Sequence, residues 1–139
     1  MSHSIQCKWV NNMAFEAKDS LGHTVIMDAG EKFGGENRGF LPKPLLLASL
    51  AGCMGIDVLY ILNKMRVEFE SFDIDVNGEM NEEQPRYYHK IHLVYKFKGK
   101  ELPMDKLERA VYLSKDQYCN VSALLSKGAE ITHEILIFE

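Results

Sequence analysis

The sequence predicts a mixed α+β fold whose elements follow the order βββ-α-ββ-α-α-β. Two observations lead to this class. Short runs of alternating apolar and polar residues, separated by turn-forming residues, indicate half-buried strands. One long segment is apolar on nearly every side and opens with prolines, which is typical of a buried central helix. Because tight turns join the strand runs, we expect mostly antiparallel pairing.

The first part of the chain predicts three short strands and a loop. The strands are expected over residues 5–10, 13–18 and 23–27. Asn11 and Asn12 suit a two-residue hairpin turn, and residues 19–22 suit a slightly longer one. Residues 30–39 hold four glycines among alternating charges, a composition that predicts a loop.

The rest of the chain predicts three helices and three strands. Pro42 and Pro44 fit the first turn of a long helix that runs to about Met65. We expect strands over 69–80, 87–98 and 131–138, a second helix opened by Pro103, and a short third helix over 121–127 that ends at Gly128.

The long helix allows two interpretations. Residues 44–62 come close to the length and apolarity of a membrane span. However, Asp57 lies inside this segment, and a carboxylate at that depth costs about 2.5–3.5 kcal/mol. We therefore favour a buried core helix and expect no membrane association. Because six short strands of one chain offer such a helix too little cover, we predict a homodimer.

Composition and charge restrict the class of protein. At 139 residues the chain has the usual length of one domain, expected over residues 1–139. Its formal net charge of −4 gives no electrostatic reason to bind nucleic acid or anionic lipid. Three cysteines do not make an even disulfide framework, and no signal peptide is visible. We expect a cytoplasmic protein.

Two cysteines stand out as candidates for chemistry. Cys53 lies in the middle of the long helix, and its small neighbours, Gly52 and Gly55 among them, leave space beside the sulfur. Cys119 directly precedes the short third helix, where free N–H groups and the helix dipole favour a thiolate. Cys7 is interpreted as structural.

These residues resemble the OsmC/Ohr family. The shared pattern is a glycine-bearing loop, Pro42 opening a helix that carries Ala-Gly-Cys53, and a late Tyr-Cys119-x-Val-Ser122. Lys8-Trp9-Val10 and Ile131-Thr132-His133 also match the short OsmC-like branch. The resemblance covers nearly the whole chain. It implies an intertwined homodimer with its sites at the subunit interface.

The same resemblance implies reduction of organic hydroperoxides in oxidative-stress defence. Cys53 would be the peroxidatic thiol that becomes a sulfenic acid, and Cys119 would resolve it as a disulfide. A dithiol reductant would then reopen the disulfide. No metal and no organic cofactor is expected.

Two departures from the family pattern keep a second hypothesis open. Residues 5–27 contain no arginine, although the family's activating arginine comes from the early strands, and Lys43 stands where the family has glutamate. Arg38 is the first candidate for the missing cation, and Lys43 the second. Asp57, one turn beyond Cys53, would disfavour a thiolate if it faced the sulfur. The alternative is a non-peroxidase OsmC-like protein that binds a small apolar ligand or senses oxidants at the dimer interface.

A zinc site is the remaining alternative. His89, His92 and His133 could in principle join the two cysteines as ligands. No pair has C-x-x-C or H-x-x-x-H spacing, and His89 and His92 would point to opposite faces of one strand. The sequence therefore favours a metal-free thiol site.

Overall fold

The structure, a computed structural model, describes residues 1–139 and confirms the predicted class and order of elements. Its strands are β1 (Gln6–Asn11), β2 (Ala14–Lys18), β3 (Thr24–Met27), β4 (Ser71–Met80), β5 (Tyr88–Lys98) and β6 (Glu130–Phe138). Its helices are α1 (Pro42–Lys64), α2 (Met104–Leu113) and α3 (Asn120–Leu125), with a 3₁₀ turn at Glu31–Phe33 and a π-helical turn at Ser114–Tyr118. The chain forms two compact units, Met1–Leu46 and Leu47–Glu139. The expected single domain over residues 1–139 stays a prediction.

The first unit contains an antiparallel sheet in the order β1-β2-β3. The first hairpin loop lies one residue later than predicted: Asn11 pairs with Ala14, and Asn12 turns the chain in the left-handed region with φ of 48°. Asparagine tolerates that region better than most residues, which explains the position of the turn. The predicted loop then follows, interrupted only by the 3₁₀ turn.

The second unit contains a sheet in the order β4-β5-β6. β4 and β5 pair antiparallel, whereas β5 and β6 pair parallel, and α2 and α3 lie in the connection between β5 and β6. A parallel pair needs such a long connection, so β6 is the exception to the antiparallel expectation. The predicted alternation is confirmed, with every second residue of β5 buried: Ile91, Leu93, Tyr95 and Phe97.

The helix α1 has one face in the core of the second unit and another face uncovered within the chain. Leu50, Met54 and Val58 are fully buried, and they join the core cluster that includes the inward residues of β5. Ile56 and Tyr60 are 69% and 61% exposed. By length and composition α1 could cross a membrane, but core helices of soluble proteins meet the same criterion.

The end of α3 differs from the prediction. The helix ends at Leu125 with Ser126 as its cap, and Gly128 does not have a positive φ. The N–H of Lys127 donates to the carbonyl of Leu124, and that of Gly128 to the carbonyl of Leu125. These short-range bonds satisfy the terminal carbonyls, so no left-handed glycine is required.

Candidate functional site

The second unit brings together a sulfur pair and a carboxylate. The Sγ atoms of Cys53 and Cys119 and a carboxylate oxygen of Asp57 all lie within 4.8 Å of one another. Cys53 and Asp57 are four residues apart on α1, which places them on the same side of the helix. Both cysteines are reduced, with Cys53 half-buried and Cys119 only 3% exposed. One reachable thiol therefore lies beside one protected thiol.

The π-helical turn positions Cys119 against α1. The N–H of Cys119 donates to the carbonyl of Ser114 at 2.8 Å, which closes this wide turn. The Ser114 hydroxyl is fully buried and donates to the carbonyl of Met54 at 3.2 Å, with Asp57 Oδ2 a second acceptor at 3.4 Å. Ser114 thus connects the segment before Cys119 to the helix that carries Cys53. The sequence contains no local signal of a π-helical turn, so Ser114 escaped sequence analysis.

The surroundings of Cys119 favour the protonated thiol, contrary to the sequence expectation of a thiolate there. Burial raises the pKa of Cys119 to about 12, and its hydrogen bond with Cys53 acts in the same direction. The N–H of Ser122 does donate to Cys119 Sγ at 3.2 Å, as expected of a helix N-cap, and this bond acts to lower the pKa. The expectation of a thiolate at Cys119 was wrong because burial raises the thiol pKa more than the N-terminus of a six-residue helix lowers it.

The carboxylate of Asp57 shares the low-polarity surroundings of the two sulfurs. Burial raises the pKa of Asp57, and the hydrogen bond from Ser114 acts against that shift. A carboxylate oxygen of Asp57 lies within 4.8 Å of the sulfur of Cys53, so Asp57 faces the thiol site. Its position one turn after Cys53 in an apolar helix was the sequence signal that pointed to it.

A buried tyrosine, Tyr95, lies near Cys119. The hydroxyl of Tyr95 donates to Met54 Sδ at 3.6 Å, and burial raises the pKa of Tyr95, with nearby Cys119 adding to the effect. The ring of His133 meets the ring of Tyr95 edge-on, with centroids 6.0 Å apart. The raised pKa favours the neutral form of Tyr95, which adds no charge near Cys119.

The three histidines do not join the sulfur pair. His89 lies 3.6 Å from Glu79, and His92 contacts Thr132 at 2.7 Å and Glu134 at 3.2 Å. None of them belongs to the cluster of potential metal ligands that contains Cys53 and Cys119. The zinc site with histidine ligands therefore does not form.

A cavity of about 630 Å³ adjoins the site at Asp57. Tyr118, the residue before Cys119, lines it as well, and Lys64 stands in its wall with Nζ 4.7 Å from the ring centroid of Tyr60. The remaining lining residues are apolar: Ile61, Met65 and Leu113. The cavity offers an apolar molecule a place next to the carboxylate of the thiol site.

The two candidate cations lie in the first unit, as does Cys7. Arg38 Nε donates to the buried carboxylate of Asp28 at 3.2 Å, Nη1 to Asn11 Oδ1 at 2.6 Å, and Nη2 lies 3.1 Å from Glu36. All three guanidinium nitrogens therefore already have partners. Lys43 lies exposed in the first turn of α1, and Cys7 is exposed on β1. A role for Arg38 or Lys43 at Cys53 stays a prediction.

Comparison with known proteins identifies the class to which the fold and the thiol pair belong. The family model of OsmC-like proteins matches residues 34–134. The chain is therefore a member of the OsmC-like family, which confirms the resemblance.

Particular relatives extend this match over the whole chain. Protein YhfA of Escherichia coli strain K12 is 34% identical over 126 residues, which is 91% of each chain. A hypothetical protein of Aquifex aeolicus has a crystal structure that aligns with a TM-score of 0.82 at 30% identity and covers 100% of this chain and 99% of its own. The organic hydroperoxide resistance protein OhrB of Bacillus subtilis aligns at a TM-score of 0.68 with 15% identity over 97% of this chain and 98% of its own, which is a likeness of fold.

Proposed function

We propose that this protein is a thiol-dependent peroxidase that reduces organic hydroperoxides through Cys53 and Cys119. The observation that carries the proposal is the approach of two reduced sulfurs to within 4.8 Å, one half-exposed and one buried. A disulfide has an S–S length of about 2.05 Å, so rotation of the side chains has to bring the sulfurs closer by no more than about 3 Å.

The reaction follows from the unequal exposure of the two thiols. Cys53 Sγ attacks the outer peroxide oxygen, the O–O bond breaks, and an alcohol leaves while Cys53 becomes a sulfenic acid. Cys119 Sγ then attacks that sulfur, and its proton leaves with the hydroxyl group as water. One hydroperoxide and two thiols thus give one alcohol, one water and one disulfide, which a dithiol reductant returns to two thiols.

The choice of an organic hydroperoxide rests on the cavity beside Asp57. Its apolar residues favour a substrate with a hydrocarbon portion over hydrogen peroxide. The names of two structural relatives agree with this choice: the B. subtilis protein above and a Legionella pneumophila protein described as an organic hydroperoxide resistance protein OsmC.

The functional unit we propose is a cytoplasmic homodimer. Ile56 and Tyr60 leave an apolar strip of α1 exposed next to the thiols, and a second chain would cover it. In such a dimer Arg38 would supply the cation that stabilises the attacking thiolate and the departing oxygen, with Lys43 as the second candidate. No nucleic acid or membrane partner is part of this proposal.

A second candidate function is binding of a small apolar ligand, or sensing of oxidants, without peroxidase turnover. Two observations favour it: Asp57 faces the sulfur pair, and the three nitrogens of Arg38 are already paired. An acidic neighbour and a cation that is already paired both weaken the stabilisation of negative charge that peroxide reduction requires.

The test is consumption of cumene hydroperoxide and of hydrogen peroxide with dithiothreitol as reductant. We expect turnover with cumene hydroperoxide to exceed that with hydrogen peroxide, to disappear in Cys53→Ser and to persist in the control Cys7→Ser. Mass mapping after one turnover should find a Cys53–Cys119 disulfide. Absence of turnover in the wild-type protein, together with saturable binding of cumyl alcohol, would favour the ligand-binding function instead.

A further inference from the structure

We infer that the reduced site is also a binding site for one thiophilic divalent cation per chain, with Zn²⁺ the best match. The ligands are the Sγ atoms of Cys53 and Cys119 and a carboxylate oxygen of Asp57. This ligand set contains none of the three histidines that the sequence analysis considered as zinc ligands. The inference replaces the sequence expectation of a metal-free site. The inference does not depend on peroxidase activity.

The geometry of the three donor atoms fits a tetrahedral ion. With Zn–S bonds of about 2.3 Å, two sulfur ligands of a tetrahedral zinc lie about 3.8 Å apart. The donor atoms of Cys53, Asp57 and Cys119 lie within 4.8 Å of one another without any ion between them. The largest separation therefore exceeds that of two zinc-bound sulfurs by no more than about 1 Å, a difference on the scale of small side-chain rotations.

The chemistry of the donors selects the metal. Two thiolates and one carboxylate suit zinc and similar borderline ions, whereas Mg²⁺ and Ca²⁺ prefer all-oxygen sites. Three protein ligands leave the fourth tetrahedral position for water. The cavity that begins at Asp57 gives that water, or a small ligand, access to the ion.

Neighbouring groups hold the ligands in place. The Ser114 hydroxyl lies 3.4 Å from Asp57 Oδ2, and the N–H of Ser122 donates to Cys119 Sγ at 3.2 Å. Ser114 and Ser122 are both buried, so their bonds are not exchanged with bulk water. Hydrogen bonds of this kind to the ligating side chains orient the ligands and raise the affinity of the site for the metal ion.

Metal binding and thiol oxidation exclude one another at this site. A bound cation engages both sulfurs as thiolates and displaces their thiol protons to solvent. The sulfurs can then neither attack a peroxide nor form a disulfide until the cation leaves. Zinc would accordingly protect the pair from oxidation, and oxidation to the disulfide would release zinc.

The test is titration of the metal-free, reduced full-length protein with Co²⁺ as a spectroscopic probe, in the presence of a phosphine reductant. We expect saturation at one Co²⁺ per chain, with thiolate-to-cobalt charge-transfer absorption and the visible bands of tetrahedral cobalt. Added Zn²⁺ should abolish both signals. Proton release on addition of Zn²⁺, followed with a pH indicator in weak buffer, gives a second measurement on the unaltered protein.

Variants identify the ligands. Asp57→Asn should weaken Co²⁺ binding at least tenfold while keeping charge-transfer absorption, and Cys119→Ser should weaken it further and reduce that absorption. The matched controls Asp105→Asn and Cys7→Ser change exposed residues of the same types and should bind as the wild type does. Circular dichroism checks that each variant is folded.

The inference is overturned if millimolar Co²⁺ produces no charge-transfer absorption in the wild type, or if Asp57→Asn and Asp105→Asn bind alike. Peroxide consumption is assayed separately with a chelator present. Absence of peroxide turnover therefore does not affect the interpretation of the Co²⁺ titration. Conversely, a peroxidase that binds no cobalt would refute this site alone.

Discussion

The hydroxyl of Ser114 donates to the backbone carbonyl of Met54 and lies 3.4 Å from the carboxylate of Asp57. One small buried side chain thereby connects the π-helical turn before Cys119 to the helix that carries Cys53. The contact lies in the connection between β5 and β6, which returns Cys119 to the side of α1 that carries Cys53.

Ser114→Ala should weaken this connection. We expect a loss of about 1–2 kcal/mol in the free energy of unfolding, because a buried hydrogen bond is removed, and slower formation of the Cys53–Cys119 disulfide. Urea unfolding and mass mapping after mild oxidation measure the two effects. Ser126→Ala removes an exposed serine hydroxyl bond to Ala123 and serves as the control, with a smaller loss. Equal losses in both variants would contradict a special role for Ser114.

Asp57→Asn should stabilise the protein at neutral pH. The raised pKa of Asp57 means that the folded state favours its protonated form. Protonated Asp57 therefore contributes stability that is fully present below the ordinary carboxyl pKa of about 3.9. This contribution is lost as the pH rises through the raised pKa of Asp57 in the folded state. Asparagine does not titrate, so the advantage of Asp57→Asn over wild type should grow from acid to neutral pH. Urea unfolding of both proteins at pH 4 and pH 7 measures the difference in the free energy of unfolding. An equal difference at the two pH values would contradict the raised pKa of Asp57.

The two site thiols should differ in alkylation. Since the pKa of Cys119 is raised to about 12 and its side chain is buried, iodoacetamide should modify Cys7 and Cys53 before Cys119 across pH 7–10. Mass mapping of partly alkylated protein gives the order, and guanidinium-unfolded protein, in which all three react alike, is the control. Rapid labelling of Cys119 in the folded protein would be inconsistent with this pKa.

Arg38→Ala should slow alkylation of Cys53 at least about tenfold if Arg38 activates that thiol, a loss of ~1.4 kcal/mol. Asn11→Ala removes one hydrogen-bond partner of the Arg38 guanidinium but leaves the charge of Arg38 in place. This variant therefore controls for structural damage to the loop that contains Arg38. An equal rate in Arg38→Ala and wild type would remove Arg38 from the mechanism. Equal slowing in both variants would instead identify Arg38 as a structural residue.

The protein should be a dimer of about twice 15.9 kDa at micromolar concentration. Ile56→Glu places a charge on the exposed strip of α1 and should shift the mass in light scattering toward that of one chain. Glu108→Lys changes the charge of an exposed position on α2 and should leave the mass unchanged. A wild-type mass near 16 kDa would refute the homodimer.

The sequence by itself determined the elements of the fold, because their signals are local. The alternation that predicted β5 is borne out by burial of Ile91, Leu93, Tyr95 and Phe97, and the proline-opened apolar segment became α1. The family pattern and the neighbours of Cys53 and Cys119 singled out the two thiols that the fold brings together, and their chemical roles stay a prediction. Bounds shifted by a residue or two where turn geometry decided, as at Asn12.

Only the tertiary structure decided how the site is assembled and charged. Sixty-five residues lie between Cys53 and Cys119 in the chain, and the sequence contains no measure of the separation of the two sulfurs in space. The parallel β5–β6 pairing and the π-helical turn at Ser114–Tyr118 create the approach, and both are consequences of long-range packing. Burial likewise reversed the expected ionisation of Cys119, because desolvation depends on every element that surrounds the sulfur, whereas a helix N-terminus can be recognised from neighbouring residues alone.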